Sequence, residues 1–197
     1  IWVLGQSRSA ISSIISQYVG ANKLNEVKAL PSQAIAIILI IATIICFITY
    51  PLSKSIFSLY NASDLLLDYC VSYYKIRVIG LPLTLYVFAV FGVFRGLQNT
   101  YYPMKIAISG ATINILLDFV LVYGIKDWFL PLNLQGAAIA SVLSQFLMAI
   151  LATYYLLKKT EIPLRFSNTL NKEIPKFLNM IGHLIVRTLA LNTALYF

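Results

Sequence analysis

Residues 104–123 read MKIAISGATINILLDFVLVY, an apolar stretch of twenty residues that ends close to a carboxylate. A helix of about 20 residues rises by about 30 Å and therefore crosses the hydrocarbon core of a bilayer. A carboxylate such as Asp118 costs about 2.5–3.5 kcal/mol at the centre of a spanning helix, and less toward its end. Residues this costly inside a membrane usually serve a function, so we interpret Asp118 as part of a functional site.

Asn114 precedes Asp118 by four residues, so both side chains project from one face of the predicted helix. Carboxylate and amide oxygens are hard ligands of the kind that take up a proton or a sodium ion. The pattern therefore predicts a cation site at Asn114 and Asp118. The alternative is a hydrogen bond between helices that only holds the bundle together, worth about 0.6 kcal/mol.

The composition of the chain is that of a membrane protein. Hydrophobic residues make up 59% of it and charged residues 11%, whereas soluble domains contain about 25% charged residues. The net charge of +8 lies at the ends of apolar segments, which argues against a nucleic-acid partner. Two cysteines, Cys46 in an apolar segment and Cys70 in a predicted loop, and one histidine support neither a zinc site nor a disulfide framework.

Six segments are apolar enough to span a membrane, and we predict an all-α, polytopic membrane helix bundle of about six transmembrane helices. Alternating ten-residue segments typical of a β-barrel do not occur in the sequence. The predicted spans are 1–19, 34–50, 78–94, 104–123, 136–157 and a last one from about 177 to the end. Glu173, Ile174 and Pro175 are predicted to begin a short surface helix before the last span.

The distribution of basic residues predicts the orientation of these spans. The loops 21–33, 95–103 with the adjoining Lys105, and 158–176 contain nine lysines and arginines, whereas 51–77 and 124–135 contain four. Because cytoplasmic loops carry the excess of positive charge, the first set is predicted to be cytoplasmic. We expect a multi-pass protein of the cytoplasmic (inner) membrane of a bacterium.

Five further residues inside the predicted spans are candidates for lining a cavity or for gating. Arg8 lies in an unusually polar first span, which should face the bundle interior, and Pro82 introduces a static kink or a bending point. The full set is Arg8, Pro82, Tyr86, Gln145 and Arg187. We expect Arg187, in the last span, to pair with an acidic group that lies outside this sequence.

Residues 73–124 resemble the multidrug and toxic compound extrusion (MATE) family, and most of all its branch named for DNA-damage-inducible members. The resemblance rests on FRGLQ at 94–98 with the following Pro103, on the asparagine and aspartate four residues apart, and on a helix start rich in small residues, GAAIAS at 136–141, followed by Gln145. Where the family often has aspartate in the FRGLQ loop, this chain has Asn99.

The resemblance implies a fold of twelve helices in two six-helix lobes around a central cavity. On this basis residues 1–157 belong to the N-terminal lobe, 158–176 to a cytoplasmic linker and 177–197 to the start of the C-terminal lobe. The chain would run from the second helix of the family into the seventh. We therefore expect a fragment, without the first helix and its cation-binding aspartate. Asn114 and Asp118 match the fifth-helix partners of that aspartate, and Ser141 matches a hydroxyl residue of the sixth helix, which also packs through its small residues.

The function that this resemblance implies is secondary active transport. We expect export of cationic or amphipathic drugs or toxins in exchange for protons or sodium ions, with no cofactor besides the driving ion. The expected partners are membrane lipid and the small-molecule substrate, not nucleic acid, and the full-length protein is expected to be monomeric. A flippase for lipid-linked saccharides is the alternative, disfavoured because Arg8 and Arg187 are the only candidate cations for a phosphate. An enzyme is not expected, since one histidine without a metal-ligand set or a nucleophile offers no catalytic group.

Overall fold

The computed structural model describes residues 4–59, 64–124, 131–160, 162 and 170–196, and within these ranges it consists of helices joined by turns, with no strand. The predicted all-α fold is therefore confirmed. The helices are α1 (Ser7–Gly20), α2 (Leu30–Thr49), α3 (Ser53–Ser58), α4 (Asp64–Ile79), α5 (Leu81–Gly96), α6 (Tyr101–Tyr123), α7 (Asn133–Lys159) and α8 (Ile174–Tyr196). Short 3-10 helices at Leu4–Gln6 and Leu24–Val27 precede α1 and α2.

Four helical segments in the described ranges are long and apolar enough to cross a membrane: Leu24–Thr49, Tyr101–Tyr123, Asn133–Lys159 and Ile174–Ala194. The pair α4 and α5 makes a fifth span if it is counted as one bent helix. The first of the six predicted spans is shorter than expected, because α1 has 14 residues and a helix of that length covers only about 21 Å. Residues 1–3 of that predicted span lie outside the described residues.

The third predicted span differs most from the structure. Its helix begins at Asp64 rather than at Val78, and it is bent by 45° at a break between α4 and α5. Cys70 consequently lies on α4 and not in a loop. Pro82 stands in the first turn of α5, where the N–H that proline lacks would have no partner in the helix. Pro82 therefore marks a helix start after a break and not a kink inside a continuous helix.

The FRGLQ stretch ends α5 with a Schellman motif. The N–H of Asn99 donates to the carbonyl of Phe94 (2.9 Å) and that of Gln98 to the carbonyl of Arg95 (3.0 Å), with Gln98 at φ 58°. These bonds satisfy carbonyls that a helix end leaves unpaired. The side-chain oxygen of Asn99 then accepts the N–H of Tyr101 at 3.2 Å, so this amide joins the end of α5 to the start of α6.

Gln98→Gly is expected to stabilise the protein by about 0.5–1 kcal/mol. A side chain in the left-handed region costs about 1–2 kcal/mol, and the greater freedom of glycine in the unfolded chain offsets part of the gain. Thermal unfolding in detergent measures the effect. Asn22→Gly is the matched control, because Asn22 (φ 56°) occupies the same position after α1 and asparagine tolerates it better. A lower melting temperature for Gln98→Gly would contradict the assigned turn.

Helix α5 is the centre of the bundle and packs against α1, α2 and α7. Its inner residues, Val87, Ala89, Val90 and Val93, are almost fully buried. Helices α6 and α7 form an antiparallel pair, which the N–H of Leu132 closes by donating to the carbonyl of Leu121 at 2.9 Å. Many apolar side chains of α6 remain exposed, as expected for a helix that faces lipid or another helix.

Helix α8 begins at Ile174 and continues without interruption to Tyr196. A helix therefore begins at the predicted residues, but it is the start of the last span itself and not a short surface helix before it, so this span begins three residues earlier than Phe177. Phe177 is fully buried, and Asn171, just before the helix, donates its backbone N–H to the side chain of Gln33 at 2.9 Å. The hydrogen bond attaches the start of α8 to the first turn of α2.

Candidate functional site

Asn114 and Asp118 lie on one face of α6, as predicted, and both side chains are half-buried. The amide nitrogen Nδ2 of Asn114 and the carboxylate oxygen Oδ1 of Asp118 are buried atoms without a hydrogen-bond partner in the described part of the chain. Leaving a buried polar group unpaired costs about 1–3 kcal/mol. The bundle therefore holds a donor and an acceptor, one helical turn apart, whose hydrogen-bonding capacity is unused.

Ser141 on α7 lies at the same level of the bundle as this pair. A side chain at Gly110 would meet Met148, and one at Gly136 would meet the backbone of Leu121. The antiparallel helices run side by side between these two contacts. Ser141 therefore lies opposite residues 116–117, between the levels of Asn114 and Asp118. Because glycine permits the close approach of α6 and α7, the small-residue stretch sets the register that positions Ser141.

Gln145 lies at the break between α4 and α5 and is 9% exposed. With its amide oriented to satisfy its neighbours, its oxygen accepts from Nη1 of Arg77 at 3.0 Å and its nitrogen lies 3.1 Å from Oγ1 of Thr84 and 3.3 Å from the carbonyl oxygen of Gly80. The hydroxyl of Thr84 in turn donates to the carbonyl of Gly80 at 3.1 Å. The carbonyl of Gly80 also accepts the backbone N–H of Thr84 at 3.0 Å, so the side chain of Gln145 adds hydrogen bonds that join α7 to both sides of the break.

Tyr86 is half-buried on α5, and its hydroxyl is directed toward α7. That hydroxyl lies 2.6 Å from Oγ1 of Thr153, so the two side chains form a hydrogen bond between α5 and α7. Arg187 is exposed on α8, and the acidic partner expected for it outside this sequence stays a prediction.

Arg8 lies beside α5, with its guanidinium carbon 5.5 Å from the centre of the Phe88 ring. It borders a cavity that also includes Arg95, the last basic residue of α5. The sequence-predicted residues therefore fall into three places: the pair on α6 with Ser141, the break between α4 and α5, and the surroundings of Arg8. Sequence reasoning did not identify Arg77 and Arg95 as site residues. The feature that marks them is their position, since Arg77 lies in the last turn of α4 and Arg95 in the last turn of α5.

A model of the MatE family matches residues 2–120. The chain belongs to the MATE family. Among curated relatives, Protein DETOXIFICATION 43 of Arabidopsis thaliana is 33% identical over 121 residues, which are 61% of this chain and 22% of that protein. The probable multidrug resistance protein NorM of Thermotoga maritima is 28% identical over 153 residues, 77% of this chain and 32% of that protein.

The DNA damage-inducible protein F of Escherichia coli is 25% identical over 139 residues, 71% of this chain and 29% of that protein. Since plant and Thermotoga relatives match at higher identity, the comparisons indicate the DNA-damage-inducible branch only weakly. The chain spans between a fifth and a third of the length of these relatives.

A solved structure described as the outward-facing conformation of a multidrug resistance MATE family transporter shares the fold. It superimposes on 98% of this chain with a TM-score of 0.87 and 22% sequence identity, and the chain covers 43% of it. The arrangement of α1 to α8 is therefore that of part of a MATE transporter.

Proposed function

We propose that this chain is part of a secondary active transporter that exports cationic or amphipathic compounds in exchange for protons or sodium ions. Residues 1–157 would form most of the N-terminal lobe, 158–176 the cytoplasmic linker and 177–197 the start of the C-terminal lobe. The names of its relatives support export of drugs or toxins: NorM is described as a probable multidrug resistance protein and MepA of Staphylococcus haemolyticus as a multidrug export protein.

The observation that carries the proposal is the buried oxygen Oδ1 of Asp118, which has no hydrogen-bond partner among the described residues and lies one helical turn from the amide of Asn114. In the proposed cycle, Asp118 binds a proton or a sodium ion through its carboxylate. Asn114 and Ser141 supply neutral oxygens at the same level of the bundle. A cationic substrate competes with the driving ion for the carboxylate, so occupation by one favours release of the other.

The break between α4 and α5 is the proposed bending point of this lobe. Gly80 and Pro82 interrupt the helix, and Gln145 on α7 holds the interruption through hydrogen bonds to Thr84 and Gly80. Alternating access needs elements that rotate without leaving buried backbone unpaired. When the lobe bends at the break, the amide of Gln145 can change its hydrogen-bond partners. Bending a continuous helix would instead break backbone hydrogen bonds.

The remaining attributes follow from the same proposal. The transporter would be a monomer in the cytoplasmic membrane of a bacterium, with membrane lipid and the exported compound as its partners and no catalytic activity. A lipid-linked saccharide flippase is not favoured, because relatives such as NorM and MepA carry names of multidrug exporters.

The test is uptake and release of ethidium, a fluorescent cation, by vesicles that contain the complete transporter. A proton gradient and a sodium gradient are imposed separately, and one of them is expected to drive ethidium against its concentration. If neither gradient moves ethidium faster than vesicles without protein, the proposed ion exchange is wrong.

In the same vesicles, Asn114→Ala is expected to raise the concentration of driving ion needed for half-maximal rate several-fold, and to leave the maximal rate within about twofold. It removes a neutral ligand but no charge, and a neutral hydrogen bond contributes about 0.5–1.5 kcal/mol. Asn179→Ala, which removes an exposed amide from α8, is the matched control and should behave as wild type. An unchanged ion dependence for Asn114→Ala would exclude Asn114 as a ligand.

A further inference from the structure

A second polar site lies away from Asn114 and Asp118, in a cavity of about 640 Å³ between α1, α5 and the start of α6. Cavities of about 300–1,000 Å³ are typical of sites for small ligands. The lining residues that matter here are Arg8, Phe91, Arg95, Thr100, Tyr101 and Met104. Arg95, Tyr101 and Met104 are exposed, so the cavity is open at its α6 side.

The cavity contains two positive charges and no described carboxylate that neutralises them. The atom Nε of Arg8 is buried and has no hydrogen-bond partner among the described residues, and Arg95 lines the same cavity. The ion pairs among the described residues are Lys23–Glu26 and Lys176–Glu173, and neither includes these arginines. Two cations that repel each other at a partly buried site are costly unless an anion joins them.

The backbone of Arg8 lies against Gly92 of α5. A side chain at Gly92 would come within 2.6 Å of the carbonyl oxygen of Arg8, and Arg95 follows Gly92 by less than one turn of α5. Arg95 and Thr100 flank the turn between α5 and α6, which the excess of basic residues assigns to the cytoplasmic side. Phe91 and Met104 add an apolar wall next to the two charges.

We propose that this cavity binds an anionic phosphate group carried on an apolar body. Arg8 and Arg95 hold the phosphate, because guanidinium groups match its oxygens with paired N–H donors. Phe91 and Met104 contact the apolar part. The headgroup of an anionic phospholipid of the cytoplasmic leaflet has this chemistry, and so does a free phosphate compound. The site is independent of the proposed cation exchange at Asp118.

The experiment measures thermal stability of the complete protein in a neutral detergent during titration with phosphatidylglycerol, phosphatidylcholine or inorganic phosphate. Phosphatidylglycerol is expected to raise the melting temperature and phosphatidylcholine is not. Arg8→Gln and Arg95→Gln should each raise the phosphatidylglycerol concentration needed for half of the effect by about tenfold, since each removes charge-assisted hydrogen bonds. The shift should also weaken in 1 M salt, which screens exposed charges.

Lys159→Gln is the matched control, because it removes one exposed positive charge from the end of α7 on the same predicted side of the membrane. It should titrate as wild type does. Arg95 is exposed at the end of α5, so Arg95→Gln reports on the site even if Arg8→Gln lowers stability by itself. Stabilisation by phosphatidylglycerol alone identifies a lipid headgroup, and stabilisation by inorganic phosphate as well identifies a phosphate site. Stabilisation that ignores both arginine substitutions, or none at all, overturns the proposal.

Discussion

Asp118→Asn is expected to abolish gradient-driven efflux and to leave the protein folded and inserted. The substitution keeps the shape of the side chain but removes the charge that a proton or sodium ion would neutralise. Asp118 is half-buried on α6, and its Oδ1 has no hydrogen-bond partner among the described residues. Replacing the carboxylate by an amide therefore breaks no hydrogen bond of this oxygen there. Insertion should be as efficient as in wild type or better, because a carboxylate in a spanning helix is costly.

The measurement is ethidium efflux from energised vesicles at equal protein content, with melting temperature as the measure of folding. Asp68→Asn is the matched control, because it makes the same chemical change at an exposed position of α4. It should export ethidium at the wild-type rate. If Asp118→Asn does so too, Asp118 is only a packing residue and the cation site is elsewhere.

The sequence predicted the helix that carries this site well, and for a physical reason. Residues 104–123 were expected to span the membrane, and α6 extends from Tyr101 to Tyr123. An uninterrupted apolar stretch has one low-energy form in lipid, because only a helix satisfies its backbone internally. Any polar residue within such a stretch stands out, which is why Asn114 and Asp118 could be identified without the structure.

The same rule failed for α4. Asp64, Asp68, Lys75 and Arg77 make residues 64–79 look like a loop, yet they form a helix of 16 residues. This helix packs against α7 and α3, and Tyr74 contacts Phe57 edge to face at 5.4 Å between ring centres. Hydropathy averaged over a window does not register such contacts, since tertiary packing rather than apolar length stabilises this helix.

The partners of the candidate residues were also beyond sequence reasoning. Gln145 was identified as a gating candidate, but its contacts with Arg77 and Thr84 join residues more than 60 positions apart in the chain. The proximity of Arg8 to Arg95 likewise depends on how closely α1 approaches α5. That approach is possible because Gly92 has no side chain. The glycine is visible in the sequence, but only the structure shows that it lies against Arg8.

Gly92→Val is therefore expected to destabilise the protein by about 2–3 kcal/mol, the usual cost of forcing extra atoms into a packed interface. The first side-chain carbon alone would lie 2.6 Å from the carbonyl oxygen of Arg8 and 3.1 Å from its Cα. Both atoms belong to the backbone of α1, so no side-chain rotation relieves the contact and α1 must move away from α5. The displacement would also open the pair formed by Arg8 and Arg95.

Thermal unfolding in detergent measures the loss, and Gly182→Val is the matched control. Gly182 lies inside α8, and apart from the adjacent backbone of α8 no atom of the described residues lies within 4 Å of the position of an added side chain. Its substitution should be neutral or slightly stabilising, because glycine is the weakest helix former after proline. The two variants make the same chemical change in a helix interior, so the difference between their melting temperatures isolates the contact between α1 and α5. Equal melting temperatures would show that α1 does not approach α5 at Gly92, and the cavity between them would lose its arginine pair.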